Sequence, residues 1–177
     1  MRTLVLGGIR SGKSQWAETT IAHAAGDTAP VRYLATGPAA DSDPAWADRV
    51  GAHQRRRPAH WLTVETRDLA ADLGETPDTA TLVDDIGGWL TETMDRTGAW
   101  TGAPVDREID GLVQAVDAFT APLFLVSPEV GLTVVPATEA GRRFADELGT
   151  VNQRLAAVCD RVVLVVAGQP LTVKEPS

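Results

Sequence analysis

One cysteine, Cys159, and three histidines in 177 residues leave no material for a disulfide framework or a cysteine-based zinc site, and they point to a reducing compartment. Only Lys13 and Lys174 are lysines, so almost all of the 16 basic residues are arginine and a lysine inside a motif stands out. Long apolar runs are missing too. No stretch approaches the ~18 consecutive apolar residues of a membrane span. The strand-like run starting at residue 3 leaves no room for a signal peptide, so the protein is expected in the cytoplasm with no membrane insertion. Positive charge is scarce overall: 24 acidic against 16 basic residues give a net charge of −8. Such a surface repels nucleic acid and anionic membrane, so no nucleic-acid partner is expected and any anion site must be local.

What is present is an ordinary core-forming composition, 44% hydrophobic. The length suits one domain over residues 1–177. Short Val/Leu-rich runs at residues 3–6, 31–35, 61–64, 81–83, 123–126 and 162–166 predict strands buried on both faces, with 170–173 as an added edge strand. Helical periodicity intervenes at 14–24, 45–55, 86–93, 107–118 and 139–158. Residues 36–44 read as a loop and 97–104 as a turn. This alternation predicts an α/β fold, a mostly parallel sheet flanked by helices, with ligands at the carboxyl ends of the strands.

The first strand runs directly into Gly7-Gly8-Ile9-Arg10-Ser11-Gly12-Lys13-Ser14, which fits G-x-x-x-x-G-K-[ST] between a strand and a helix. The glycines allow backbone N–H groups to turn inward on phosphate oxygens, and the helix start adds its positive dipole end. Lys13 is placed to reach the β and γ phosphates, and Ser14 to offer a hydroxyl to Mg²⁺. The matching acid should end a buried strand. Asp84 and Asp85 both follow the run at 81–83, one for the metal and one for substrate or proton, or as a helix cap; spacing leaves the division open.

A second constellation lies at Arg49-Val50-Gly51-Ala52-His53-Gln54-Arg55-Arg56-Arg57-Pro58-Ala59-His60-Trp61. Three consecutive arginines in an acidic protein suit a polyanion, since guanidinium forks match phosphate oxygens in pairs; a solvated helix terminus is the alternative. His53 beside them is either a surface histidine or a neutral imidazole set to attack phosphorus. His23 falls inside the first helical pattern and His60 directly before a strand.

Taken together, GGIRSGKS at 7–14, Tyr33-Leu34-Ala35-Thr36, R-V-x-x-H…R-P-x-x-W-x-T-x-E from Arg49 to Glu65, Leu82-Val83-Asp84, Val126-Ser127…Glu129-Val130-Gly131…Val135-Pro136, and Val151-Asn152-Gln153-Arg154-Leu155-Ala156 cover nearly the whole chain. They resemble the bifunctional adenosylcobinamide kinase/adenosylcobinamide-phosphate guanylyltransferase family of cobalamin biosynthesis. The resemblance implies a P-loop NTPase fold, RecA-like, with residues 1–177 as one nucleotide-binding catalytic domain. It implies phosphorylation of adenosylcobinamide by GTP or ATP, then transfer of GMP from GTP to the phosphate through a GMP-histidine intermediate.

By the same resemblance His53 is the nucleophile, with Lys13 and Asp84 also catalytic. Nucleotide contacts fall on Gly7 to Ser14 (Gly7, Gly8, Ile9, Arg10, Ser11, Gly12, Lys13, Ser14), on Ala35, Thr36 and Gly37, on Gln54, Arg55, Arg56 and Arg57, and on Glu65 and Asp84. The motif and the pair of acids put Mg²⁺ on Ser14, Asp84 and the neighbouring Asp85, and the resemblance implies a homotrimer. Two stretches depart from the family pattern: Asp85-Ile86-Gly87 stands where Cys-Leu-Thr is usual, and Pro128-Glu129-Val130-Gly131 where Asn-Glu-Val-Gly is. The motif alone also fits a P-loop switch or assembly ATPase without covalent chemistry, in which His53 is a bystander.

Overall fold

In the computed structural model, which describes residues 1–26, 28–37, 57–132 and 134–176, the apolar runs assemble into one seven-stranded sheet. Its strands are β1 (Arg2–Gly7), β2 (Arg32–Ala35), β3 (Leu62–Glu65), β4 (Thr81–Asp84), β5 (Leu123–Pro128), β6 (Arg161–Val166) and β7 (Gln169–Lys174). The order is β3-β2-β4-β5-β1-β6-β7, parallel throughout except for the antiparallel β6–β7 hairpin. The described helices are α1 (Lys13–Ala25), α2 (Leu69–Glu75), α3 (Ile86–Thr97), α4 (Asp106–Asp117) and α5 (Glu139–Val158).

Alternating strand side chains feed two cores. Leu4, Leu34, Val83, Leu125 and Val162 meet Leu73, Leu90, Leu112 and Leu148 of the helices on one face. Val5, Tyr33, Leu82, Phe124 and Val163 meet Ala17 and Ile21 of α1 on the other. Burial on both faces explains the unbroken apolar runs of β1, β4 and β5.

Residues 170–173 form the expected edge strand, β7. Residues 61–64 read as a strand buried on both faces, yet β3 is the sheet's other edge and is largely exposed, with Leu62 60% accessible. The short α2 was not anticipated, because it turns only Leu69 and Leu73 into the core; its start is set by Asp68, whose carboxylate accepts from the Ala71 N–H. The turn at 97–104 contains a 3₁₀ turn, Ala99–Thr101. The helix expected at 45–55 lies outside the described residues.

The second lysine is structural. Lys174 Nζ donates to the carbonyls of Ala156 (2.9 Å), Ala157 (3.2 Å) and Cys159 (2.6 Å), tying β7 to the negative end of α5. Burial pushes the Cys159 thiol up to about 12, which suits an inert packing residue.

Candidate nucleotide site

The loop at residues 8–12 turns from the end of β1 into α1. A Cβ on Gly7 would lie 2.8 Å from the Val165 carbonyl, so only glycine fits where β1 leaves the sheet. Gly12 starts the helix at φ +92, and the following hairpin turn braces it: the Gly168 N–H donates to the Ser11 carbonyl at 2.7 Å. The Gly12 cap has no side chain to offer, and the Lys13 N–H makes a long bond to Ser11 Oγ at 3.4 Å, at the positive end of the α1 dipole where an anion is favoured. Lys13 Nζ lies 3.3 Å from the Gly8 carbonyl, folded over the loop.

Register brings three expected residues into one row. Ala35 pairs with both Glu65 and Asp84, so the carboxyl ends of β2, β3 and β4 finish level beside the loop. Thr36 follows, donating its hydroxyl to the Asp85 carbonyl.

The two acids divide their tasks. Asp84 Oδ1 accepts from Ser14 Oγ at 3.2 Å, and its Oδ2 accepts from Tyr33 Oη at 2.5 Å. Asp85 instead caps α3, its Oδ1 accepting from the Gly88 N–H at 2.7 Å. Burial pushes the Asp85 carboxyl above the usual range and the Asp84 charge adds to this, while the Gly88 and Gly87 N–H groups and Lys13 pull it back. Burial raises the Tyr33 phenol as well, with the Asp84 charge adding, so Tyr33 remains a donor.

Ser14 and Asp84 supply hard oxygen donors side by side, the set Mg²⁺ takes when phosphate oxygens complete its shell. Among the described residues no three His, Cys, Asp or Glu group into a protein-only metal cage.

Arg57 is the described member of the arginine run. Its guanidinium lies 3.3 Å over the Tyr33 ring centroid, and its Nη1 donates to Thr63 Oγ1 at 2.9 Å. His53, Gln54, Arg55 and Arg56 lie outside the described residues. His60 is exposed, and His23 bonds the Thr19 carbonyl within α1.

The E-V-G and V-N-Q segments also meet here. The Glu129 N–H donates to the Gly7 carbonyl at 3.1 Å. Buried Asn152 of α5 accepts from Ser127 Oγ and donates to the Pro128 carbonyl, holding the end of β5 against the loop. The two departures touch: Pro128 Cγ lies 2.8 Å from where a Cβ on Gly87 would sit, so a threonine at 87 does not fit beside this proline. The sequence reading gave Tyr33 and Asn152 no role, although a lone tyrosine within an apolar run signals a buried phenol in need of a partner.

The family described as "Cobinamide kinase / cobinamide phosphate guanyltransferase" matches residues 3–173. The chain is 38% identical over 177 residues to the bifunctional adenosylcobalamin biosynthesis protein CobP of Pseudomonas aeruginosa, spanning 98% of both proteins. It is 40% identical over 189 residues to the bifunctional adenosylcobalamin biosynthesis protein CobU of Salmonella typhimurium, spanning 98% of this chain and 100% of that one. Among solved structures, the P4 protein of bacteriophage phi6 in complex with ADP aligns at TM-score 0.48 and 18% identity over 99% of this chain and 54% of that one, about half of its length.

Proposed function

The chain belongs to the cobinamide kinase / cobinamide phosphate guanyltransferase family, and from that premise we propose that it phosphorylates adenosylcobinamide with a nucleoside triphosphate and transfers GMP from GTP to adenosylcobinamide phosphate, giving adenosylcobinamide-GDP and pyrophosphate. The observation that carries this reading is the match over residues 3–173, nearly the whole chain. The relatives do not favour a nucleotide switch or assembly ATPase without covalent chemistry. Residues 1–177 act as one P-loop catalytic domain, in the cytoplasm, as a homotrimer.

In both reactions the N–H groups of the loop and of the α1 start hold the phosphates, with the Lys13 ammonium on the outer ones. Ser14 and Asp84 would hold Mg²⁺, which offsets phosphate charge. In GMP transfer the His53 imidazole attacks the α phosphorus. A P–N bond forms as the bond to the pyrophosphate oxygen breaks, and Arg55 and Arg56 offset the charge that develops. A phosphate oxygen of adenosylcobinamide phosphate then attacks the same phosphorus and frees the histidine. Ala35, Thr36, Gly37 and Glu65 line the nucleotide from the β2 and β3 side. The test is mass spectrometry of the intact protein after GTP and Mg²⁺: a gain equal to GMP is expected, and a persistently unmodified protein would refute the covalent reading.

The two acids are separable. Asp84→Asn should raise the half-saturating Mg²⁺ concentration by about tenfold or more, the size of a lost bond to a charged group. Asp85→Asn should leave it near the wild-type value, because asparagine caps a helix as well as aspartate does. A Mg²⁺ titration of either half-reaction ranks them, and the opposite ranking would make Asp85 the metal acid.

A further inference from the structure

We infer that Tyr33 is a positioning residue for the metal acid: its hydroxyl holds the Asp84 carboxylate facing Ser14, and Arg57, stacked on the ring, fixes the phenol in place. The inference rests on the nucleotide-site reading above.

An aspartate carboxylate turns about a broad sp³–sp² torsion, so a bond to one oxygen leaves its plane poorly fixed. Asp84 is held at both ends, Oδ1 by Ser14 and Oδ2 by Tyr33. Tyr33 is 2% exposed and packs among Val5, Leu82, Phe124 and Val126, so the phenol is anchored by the core. Its register partner on β4 is Leu82, two residues before Asp84, a spacing that lets the ring reach along the strand to the acid. A phenol donating to an ionised carboxylate makes one of the stronger neutral-donor bonds.

Arg57 closes the arrangement from the other side. Its guanidinium carbon lies 3.3 Å from the ring centroid and its Nη1 donates to Thr63 of β3, which ties the group to the β2–β3 edge. Beside the nucleotide contact that the resemblance implies for it, Arg57 thus also anchors the Tyr33 ring.

Binding of a fluorescent GTP analogue, with Mg²⁺ and in EDTA, tests this without turnover. Tyr33→Phe keeps the volume of the buried ring. Its affinity in EDTA should match the wild type, while its affinity with Mg²⁺ should fall by about tenfold. In an Asp84→Asn background the same change should add nothing, since Tyr33 acts through Asp84. Equal weakening with and without Mg²⁺, no weakening at all, or additivity with Asp84→Asn would each overturn the inference.

A second readout needs no variant at Tyr33. Because the chain has one tyrosine, protein labelled with ¹³C at tyrosine Cζ gives a single resonance. That resonance should move on Asp84→Asn and again on Arg57→Ala. A resonance indifferent to Asp84→Asn would show that the phenol does not bond to the acid. Wild-type protein that bound no GTP analogue would overturn the proposed function itself, and the resonance would still decide the Tyr33–Asp84 bond.

Discussion

Lys13→Ala should abolish both half-reactions while leaving the fold intact. On the proposed reading one nucleotide site centred on the loop at residues 8–12 would serve both, so both would lose the same ammonium. A charge-assisted bond to phosphate contributes about 1.5 to 3 kcal/mol, which corresponds to roughly ten- to over a hundredfold in rate per reaction. The fold is spared because the side chain makes one long bond, Nζ to the Gly8 carbonyl at 3.3 Å, and packs in neither core. Lys13→Arg should fail as well, since a planar fork does not replace a compact charge against the backbone of a tight loop. The measurements are steady-state rates for phosphorylation and for GMP transfer, with thermal unfolding as the control. Wild-type turnover in either reaction would show that the loop does not serve it.

How much of this was legible without coordinates depended on what each residue's neighbours in sequence could reveal. β1, β4 and β5 were readable because strands covered on both faces carry an unbroken apolar run, and α5 because its twenty residues repeat the helical period through Leu148, Val151 and Leu155. α2 was not, because Leu69 and Leu73 alone are too few to establish a period. The phosphate loop was legible as a contiguous motif whose every member acts locally. The bonds to Asp84 were not, since they depend on β2 lying next to β4 with Ala35 opposite Asp84, a matter of strand order and register. The division between the two acids likewise needed geometry: either suits a metal or a cap, and only the bond from the Gly88 N–H to Asp85 gives that side chain to the helix. The same holds for Gly87 and Pro128, forty-one positions apart and in contact.

His53→Ala should separate the two chemistries. GMP transfer and covalent labelling should be lost with the nucleophile, whereas phosphorylation of adenosylcobinamide should largely survive on the loop, Mg²⁺ and Asp84. His53 lies outside the described residues, but the described chain resumes four positions later at Arg57, whose guanidinium lies over the ring of Tyr33, the donor to Asp84. The adduct has its own signature. In a phosphorus–nitrogen bond to imidazole, acid protonates the ring and makes it a good leaving group, while in alkali the ring stays neutral and leaves poorly. Label from GTP tagged at the α phosphate should therefore be released by acid and kept in base. An ester at Ser11 or Ser14 would withstand acid, and an acyl phosphate on Asp84 would be lost in base. Label persisting in His53→Ala, or showing either of those stabilities, would place the covalent step on another residue and leave His53 as a neighbour of the phosphates and not their acceptor.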